Sequence, residues 1–194
     1  MGDADEDRMH AQQYPEGDVL RILYEQHARI RDLFAEIKSS TGEERKQSFG
    51  ELRALLVAHE TAEEMILRPV TSGAGGKAVA DARNQEESDA TDVLKQLDEL
   101  DVDSPEFAEM LGGFEKSVDE HAEAEEHEEF PLVEQSCDEE RRAAMGRMMK
   151  AVEAMAPTRP HPSTAGKPAA QYAVGPIASL LDHARDAVGK VTGG

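Results

Sequence analysis

The stretch His121-Ala-Glu-Ala-Glu125-Glu126-His-Glu-Glu-Phe-Pro131 repeats the pattern of an earlier stretch, His59-Glu-Thr-Ala-Glu63-Glu64-Met-Ile-Leu-Arg-Pro69. Both fit H-x3-E-E-x4-P. In an α-helix, side chains four residues apart lie on the same face, so each stretch places an imidazole beside a carboxylate. Each copy therefore predicts half of a metal site. Two such helices in one bundle would bring the halves together across its core.

The composition indicates a single all-α domain. The chain has 194 residues, enough for one well-buried core, and aromatic residues make up only 4% of it. Good helix formers such as Ala, Leu, Glu and Met are abundant. The formal net charge of −20 argues against binding to nucleic acid or to an anionic membrane, because both carry negative phosphates.

The cysteine count and the first residues bear on the compartment. Cys137 is the one cysteine of the chain, so an internal disulfide and a cage of several cysteines are excluded. The N-terminal residues are acidic where a signal peptide is basic, and no run of apolar residues is long enough to span a bilayer. We therefore expect a cytoplasmic protein that is not embedded in a membrane.

Composition also divides the chain into three parts. Residues 1–14 are polar and acidic without periodicity, which predicts a disordered tail. Residues 15–156 would form a helical bundle with an appended Met-rich helix. Residues 157–194 would form a strap rich in Pro and Gly, followed by a short C-terminal helix.

Four apolar stripes with helical spacing predict the bundle, with helices over about 18–40, 41–69, 77–100 and 104–131. Asp18 and Ser104 are expected N-caps, and Thr41 with Glu44 fits a capping box. Pro69 and Pro131 are expected to end or kink the second and fourth helices. Short loops between four helices favour an up-down-up-down four-helix bundle.

Five side chains of metal-binding type fall on these apolar stripes: His27, His59, Glu63, His121 and Glu125. Burying them without partners would cost several kcal/mol. Three imidazoles with two carboxylates suit two iron ions bridged by the carboxylates better than one tetrahedral zinc. The alternative is a purely structural acidic bundle whose histidines are hydrogen-bonded in the core.

With these motifs, residues 18–135 resemble the hemerythrin-like proteins that carry the HHE cation-binding domain. The resemblance implies a hemerythrin-like four-helix bundle with two non-haem iron ions joined by an oxo or hydroxo bridge. It implies that His27 and His59 bind one iron, that His121 binds the other, and that Glu63 and Glu125 bridge them.

The third helix departs from the family pattern, which has histidine where this chain has Gln85-Glu86-Glu87-Ser88-Asp89. Counting back from the apolar stripe favours Glu87 as the ligand, with Glu86 and Asp89 as further candidates. Three residues of the C-terminal segment could also complete the site: His161, Tyr172 and His183. The alternative is a degenerate site that binds metal weakly or holds a single ion.

Several neighbouring side chains are expected to lie outside the ligand positions. Glu64 and Glu126 are one residue away from the ligand face and are expected to support the ligands or to lie at the surface. His127 points away from the half-site.

A carboxylate in place of histidine on the third helix would stabilise ferric over ferrous iron, which disfavours reversible oxygen carriage. We therefore expect a di-iron protein that binds or reacts with O2, peroxide or nitric oxide, including catalase-like decomposition of hydrogen peroxide. The alternative is an oxygen or nitric oxide sensor, or an iron buffer, without turnover. The sequence leaves the oligomeric state open.

Overall fold

The computed structural model describes residues 2–154, which are helical throughout apart from short connections, with no strand among them. The helices are α1 Ala4–Ala11, α2 Val19–Ser39, α3 Gly42–Gly73, α4 Lys77–Asp98, α5 Pro105–Ala124, a π-helical turn Glu125–Glu129, α6 Phe130–Ser136 and α7 Glu139–Glu153. The all-α fold is confirmed, and α2 to α5 form the four-helix bundle. Outside the bundle, α1 lies against α2, and α7 lies against α2 and α3.

The bundle has an apolar cluster at each end. One contains the first half of α2, the second half of α3, α6 and α7, with Leu23, Leu67 and Met149 fully buried. The other contains the second half of α2, the first half of α3, α4 and α5, with Leu33 and Leu97 fully buried. Between the two clusters lies a buried layer of polar side chains, which is described below.

The predicted helix starts are partly confirmed. The Asp18 side chain accepts a hydrogen bond from the Leu20 amide at 3.0 Å, and Ser104 accepts one from the Phe107 amide at 3.1 Å. The capping box at Thr41 is wrong, because the Thr41 side chain makes no cap hydrogen bond. The first amide of α3 instead donates to the carboxylate of Asp103, at 3.1 Å to each oxygen.

Neither predicted proline boundary ends the helical path. The helix α3 passes through Pro69 to Gly73, and Thr71 in its last turn is fully buried, so packing holds the turn that the proline weakens. Before Pro131, which has no N–H to donate, the chain widens into the π-helical turn and then continues as α6.

Residues 1–14 were expected to be a disordered tail, and this is wrong for residues 4–11, which form α1. Asp3 caps the helix by accepting from the Asp5 amide at 2.8 Å. Asp7 is 2% exposed and forms an ion pair with Arg31 of α2, while Ala11 is buried. A tertiary ion pair therefore orders a stretch that has almost no apolar face of its own.

The Met-rich helix begins as expected, with the Asp138 side chain accepting from the Arg141 amide at 2.9 Å. Gly146 lets α7 approach the loop before α2, since a Cβ there would lie 2.1 Å from the Gly17 carbonyl oxygen. The segment 157–194, with His161, Tyr172 and His183, lies outside the described residues, and the division into three parts stays a prediction. Within residues 2–154, every helix is too short or too polar to cross a bilayer.

Candidate metal centre

The six predicted metal ligands come together in two groups that share two members. The His59 set is His27, His59, Glu63 and Glu125. The His121 set is Glu63, Glu87, His121 and Glu125. In each set, one nitrogen or oxygen atom per residue lies within 4.8 Å of the others.

Each bundle helix supplies part of this layer. His27 comes from α2, His59 and Glu63 from α3, and Glu87 from α4. His121 lies in the last turn of α5, and Glu125 is the first residue of the π-helical turn. Because residues four apart share a helix face, His59 lies over Glu63 and His121 over Glu125. The sets thus sit halfway along the bundle between its two apolar clusters.

All three imidazoles are held by their Nδ1 atoms. The partner of His27 is Glu126 at 2.7 Å, and the partner of His121 is Glu86 at 2.7 Å. For His59 it is the side-chain oxygen of Gln26, also at 2.7 Å. Such outer partners fix the ring orientation of metal-ligating histidines. Each Nε2 atom is therefore left to face the ligand sets.

The shared carboxylates lie directly between the imidazoles. Glu125 turns one oxygen to each side, with Oε2 3.3 Å from His27 Nε2 and Oε1 3.2 Å from His121 Nε2. Glu63 Oε2 is 3.3 Å from His59 Nε2. A carboxylate whose two oxygens face two different imidazoles is placed to bridge two cations.

The buried polar atoms of the sets fit a bound cation. Within the described part of the chain, hydrogen-bond partners are lacking for both oxygens of Glu63, one oxygen each of Glu87 and Glu125, and Nε2 of His27 and His121. Leaving buried polar atoms unsatisfied costs free energy unless something compensates. Imidazole nitrogen and carboxylate oxygen are donors that suit iron, so the residues present fit such an ion.

Burial and mutual charge shift the pKa values of these groups in opposite directions. Burial, followed by the charge of Glu125, raises the pKa of Glu63 well above its usual range. Burial also raises the pKa of Glu125, but His121 and Arg68 outweigh it and hold that pKa well below its usual range. Burial beside His27 lowers the pKa of His59 to about 3, so His59 is a neutral imidazole at pH 7, the form that binds metal.

One buried cation was not anticipated from the sequence. The Arg68 guanidinium contacts Glu87 and Glu129, lies 2.7 Å from Glu125 Oε1, and lies 3.6 Å from Glu63 Oε2. Its side chain is 4% exposed. In the H-x3-E-E-x4-P pattern this residue occupies a position of unspecified type, so the pattern gave no signal for it.

Glu129, at the end of the π-helical turn, is fully buried. The π-helical turn places it below Glu125, where its Oε1 accepts from the Thr71 hydroxyl at 2.5 Å. The third-helix candidates separate clearly: Glu87 belongs to a ligand set, Glu86 supports His121, and Asp89 is exposed and bonded to Gln85.

The remaining acidic and histidine side chains of the repeats also have defined places. Glu126 supports His27, as expected for a residue beside the ligand face. Glu64 is buried. His127 is exposed and its Nδ1 lies 2.6 Å from the Glu123 carbonyl oxygen, outside both ligand sets, as expected.

Comparison with known proteins identifies the family. The Hemerythrin HHE cation binding domain matches residues 18–133, which is more than half of the chain and includes both ligand sets. The chain belongs to the hemerythrin HHE family. Its hemerythrin domain is therefore a cation-binding domain, as the resemblance of the two motifs indicated.

Relatives of this hemerythrin-like chain include one solved structure. A hemerythrin HHE cation-binding domain-containing protein from Mycobacterium kansasii aligns with a TM-score of 0.61 at 22% identity, covering 83% of this chain and 95% of that one. A hemerythrin-like protein of Schizosaccharomyces pombe is 23% identical over 87% of this chain and 85% of its own length. A DNA nickase of Nostoc sp. is 27% identical over 63% of this chain, but the match spans only 34% of that protein.

Proposed function

We propose that this hemerythrin domain binds two iron ions and that the iron pair reacts with hydrogen peroxide, O2 or nitric oxide. The supporting observation is that two ligand sets share Glu63 and Glu125, with the two oxygens of Glu125 turned to different imidazoles. Paired ions held by shared carboxylates can act on one small molecule together.

Each ligand would have a separate task. His27 and His59 would hold one ion, His121 and Glu87 the other, and the shared carboxylates would keep them together. The irons, when bound, would supply Lewis acidity and exchange electrons with peroxide. Glu87, a hard anionic donor where a histidine would be neutral, would favour the ferric state and so oppose reversible oxygen carriage. Catalase-like decomposition of hydrogen peroxide is the reaction that this donor set favours.

Glu60 is a candidate proton donor near the His121 set. Glu60 precedes Glu63 by one turn of α3 and is partly exposed. Burial of its carboxyl, followed by the charge of Glu87, raises the pKa of Glu60 well above its usual range, which favours the protonated form. When the O–O bond of peroxide breaks, the oxygen that leaves as water must be protonated. A protonated carboxyl beside the ligand set can supply that proton.

The surroundings restrict access to the centre. His27, Glu63 and Glu125 are at most 2% exposed, and the Phe130 ring stacks on His27 with centroids 5.7 Å apart. Only a small molecule could approach such ligands. Exclusion of bulk water also strengthens the electrostatic interactions inside the centre.

The test is oxygen release from hydrogen peroxide by the iron-loaded protein, measured with an oxygen electrode. We expect release by the parent protein and by His127→Ala, which removes an exposed histidine from the same segment. The double variant His59→Ala, His121→Ala should release none. Equal release from the double variant and His127→Ala would contradict the proposed function.

Binding without turnover, as in an oxygen or nitric oxide sensor or an iron buffer, is the second candidate. The burial of His27, Glu63 and Glu125 suits a diatomic molecule as well as peroxide, and such a molecule could bind without being turned over. Stopped-flow spectra of the reduced protein with O2 distinguish the two, because a stable adduct supports binding and rapid oxidation supports turnover. The formal net charge of −20 repels DNA phosphates and so disfavours a nicking activity like that of the Nostoc relative.

A further inference from the structure

The His121 set encloses a cation that belongs to the protein itself. Arg68 on α3 is 3% exposed, and its Nη2 atom contacts Glu87 Oε1 and lies 2.7 Å from Glu125 Oε1. The same atom lies 3.6 Å from Glu63 Oε2. One guanidinium nitrogen thus approaches all three carboxylates of this set.

The two sets differ in their relation to this charge. Nη2 of Arg68 lies on the Oε1 side of Glu125, the oxygen that faces His121, while Oε2 faces His27. Glu87 belongs only to the His121 set. The His59 set has two imidazoles that Arg68 does not contact. Arg68 also approaches Glu63 Oε2, the oxygen nearest His59, but only at 3.6 Å. Its closer contacts are Glu87 Oε1 and Glu125 Oε1, which a metal ion in the His121 set would need. An ion in the His59 set would therefore compete with Arg68 less than an ion in the His121 set.

A second acceptor for Arg68 stands just outside the ligand sets. Glu129 is fully buried, contacts Nη1 of Arg68 through Oε2, and is fixed through Oε1 by the Thr71 hydroxyl. Glu129 belongs to neither set. It can therefore keep the guanidinium paired when Glu87 and Glu125 bind a metal ion, so the arginine is never left buried without a counter-charge.

We propose that Arg68 competes with the second metal ion for Glu87 and Glu125, so that the two positions fill in order. The His59 set fills first, and the His121 set fills second and more weakly. Glu129 retains Arg68 when the second ion binds. The inference rests on the proposed function only in requiring that both sets bind metal. Its consequence is that the protein holds a single ion when metal is scarce and completes the pair only at higher metal concentration.

Anaerobic titration with Co2+, followed by calorimetry and by visible absorption, tests this order. The parent protein should bind in two steps. Arg68→Met should tighten the second step by about tenfold or more, because a buried like charge a few ångströms away is removed. Glu129→Gln should weaken the second step, because Arg68 then depends more on Glu87 and Glu125. Neither change should alter the first step by more than about threefold.

The chain offers a matched control in Arg142, whose side chain is 12% exposed and contacts Asp18 at 2.8 Å, a residue of neither ligand set. Arg142→Met should leave the second step as it is in the parent. An unchanged or weaker second step in Arg68→Met would overturn the proposal. If circular dichroism shows that Arg68→Met does not fold, Glu129→Gln is the deciding variant. An unchanged or tighter second step in Glu129→Gln would then overturn the proposal.

The same titration distinguishes failure of this inference from failure of the proposed function. Two equal Co2+-binding steps that do not change in Arg68→Met would overturn the competition between Arg68 and the metal ion, but not the two-metal centre. Absence of Co2+ binding that depends on His59 and His121 would overturn both.

Discussion

The N-terminal helix α1 is connected to the candidate metal centre through a series of ion pairs. Asp7 contacts Arg31 of α2, and Arg31 also lies 3.0 Å from Asp119 and 3.6 Å from Glu126. Glu126 in turn holds His27 at 2.7 Å. A chain of largely buried charges therefore links α1 to a candidate metal ligand, and Asp7→Ala removes its outermost member.

The loss of stability in Asp7→Ala depends on the ion-pair partners that Arg31 keeps. Removing one partner of a buried ion pair costs about 3–5 kcal/mol when the other charge is left alone. Here Arg31 keeps Asp119 and Glu126. Burial also raises the pKa of Asp7, which means that desolvation offsets part of the ion pair. We therefore expect Asp7→Ala to lower the free energy of unfolding by about 1–3 kcal/mol.

Urea denaturation followed by circular dichroism measures this change. With a urea dependence of about 2 kcal/mol per molar, the midpoint should fall by roughly 1 M. Asp5→Ala is the matched control, because Asp5 lies on the same helix with its side chain 87% exposed and paired only with an exposed arginine. Its effect should stay within about 0.5 kcal/mol. Equal midpoints for the two variants would show that α1 is not anchored through Asp7.

Three further predictions concern the metal, the backbone and the thiol. Glu126→Gln should weaken the first step of the Co2+ titration by about 10–100-fold, as loss of an outer partner does, while Glu128→Gln on the exposed side should not. Gly113 lies on the exposed face of α5, and Gly113→Ala should raise the free energy of unfolding by about 0.5–1 kcal/mol in urea denaturation. Gly146→Ala should lower it, because the new Cβ would lie 2.1 Å from the Gly17 carbonyl oxygen. Burial raises the pKa of the Cys137 thiol, so less thiolate is present at pH 8 and mass spectrometry should show slower alkylation by iodoacetamide in folded than in urea-unfolded protein. Equal rates would contradict its burial.

Much of the site could be predicted because helical geometry is local. The four-residue spacing of His59 and Glu63, and of His121 and Glu125, determines which side chains share a face. The same geometry located Glu87, since counting back two turns along the apolar stripe stays on one face. Asp89, one of the further candidates, is two residues from Glu87 and therefore falls on another, exposed face of α4.

The features that were missed depend on contacts between distant parts of the chain. Arg68 occupies a position that the motif leaves unspecified, and its role depends on carboxylates from α4 and the π-helical turn. The turn itself falls in a run of acidic residues with no apolar pattern to follow. The helix α1 is stabilised by Arg31 rather than by its own sequence, so local composition predicted disorder there.

The two overlapping ligand sets are proposed to bind two iron ions. The most direct measurement is the iron content per chain after anaerobic loading, by elemental analysis, for the parent protein, His59→Ala, His121→Ala and His127→Ala. We expect about two ions in the parent and in His127→Ala, and fewer in each of the other two variants. A parent protein without iron, or a His121→Ala variant that retains as much iron as His127→Ala, would contradict the account.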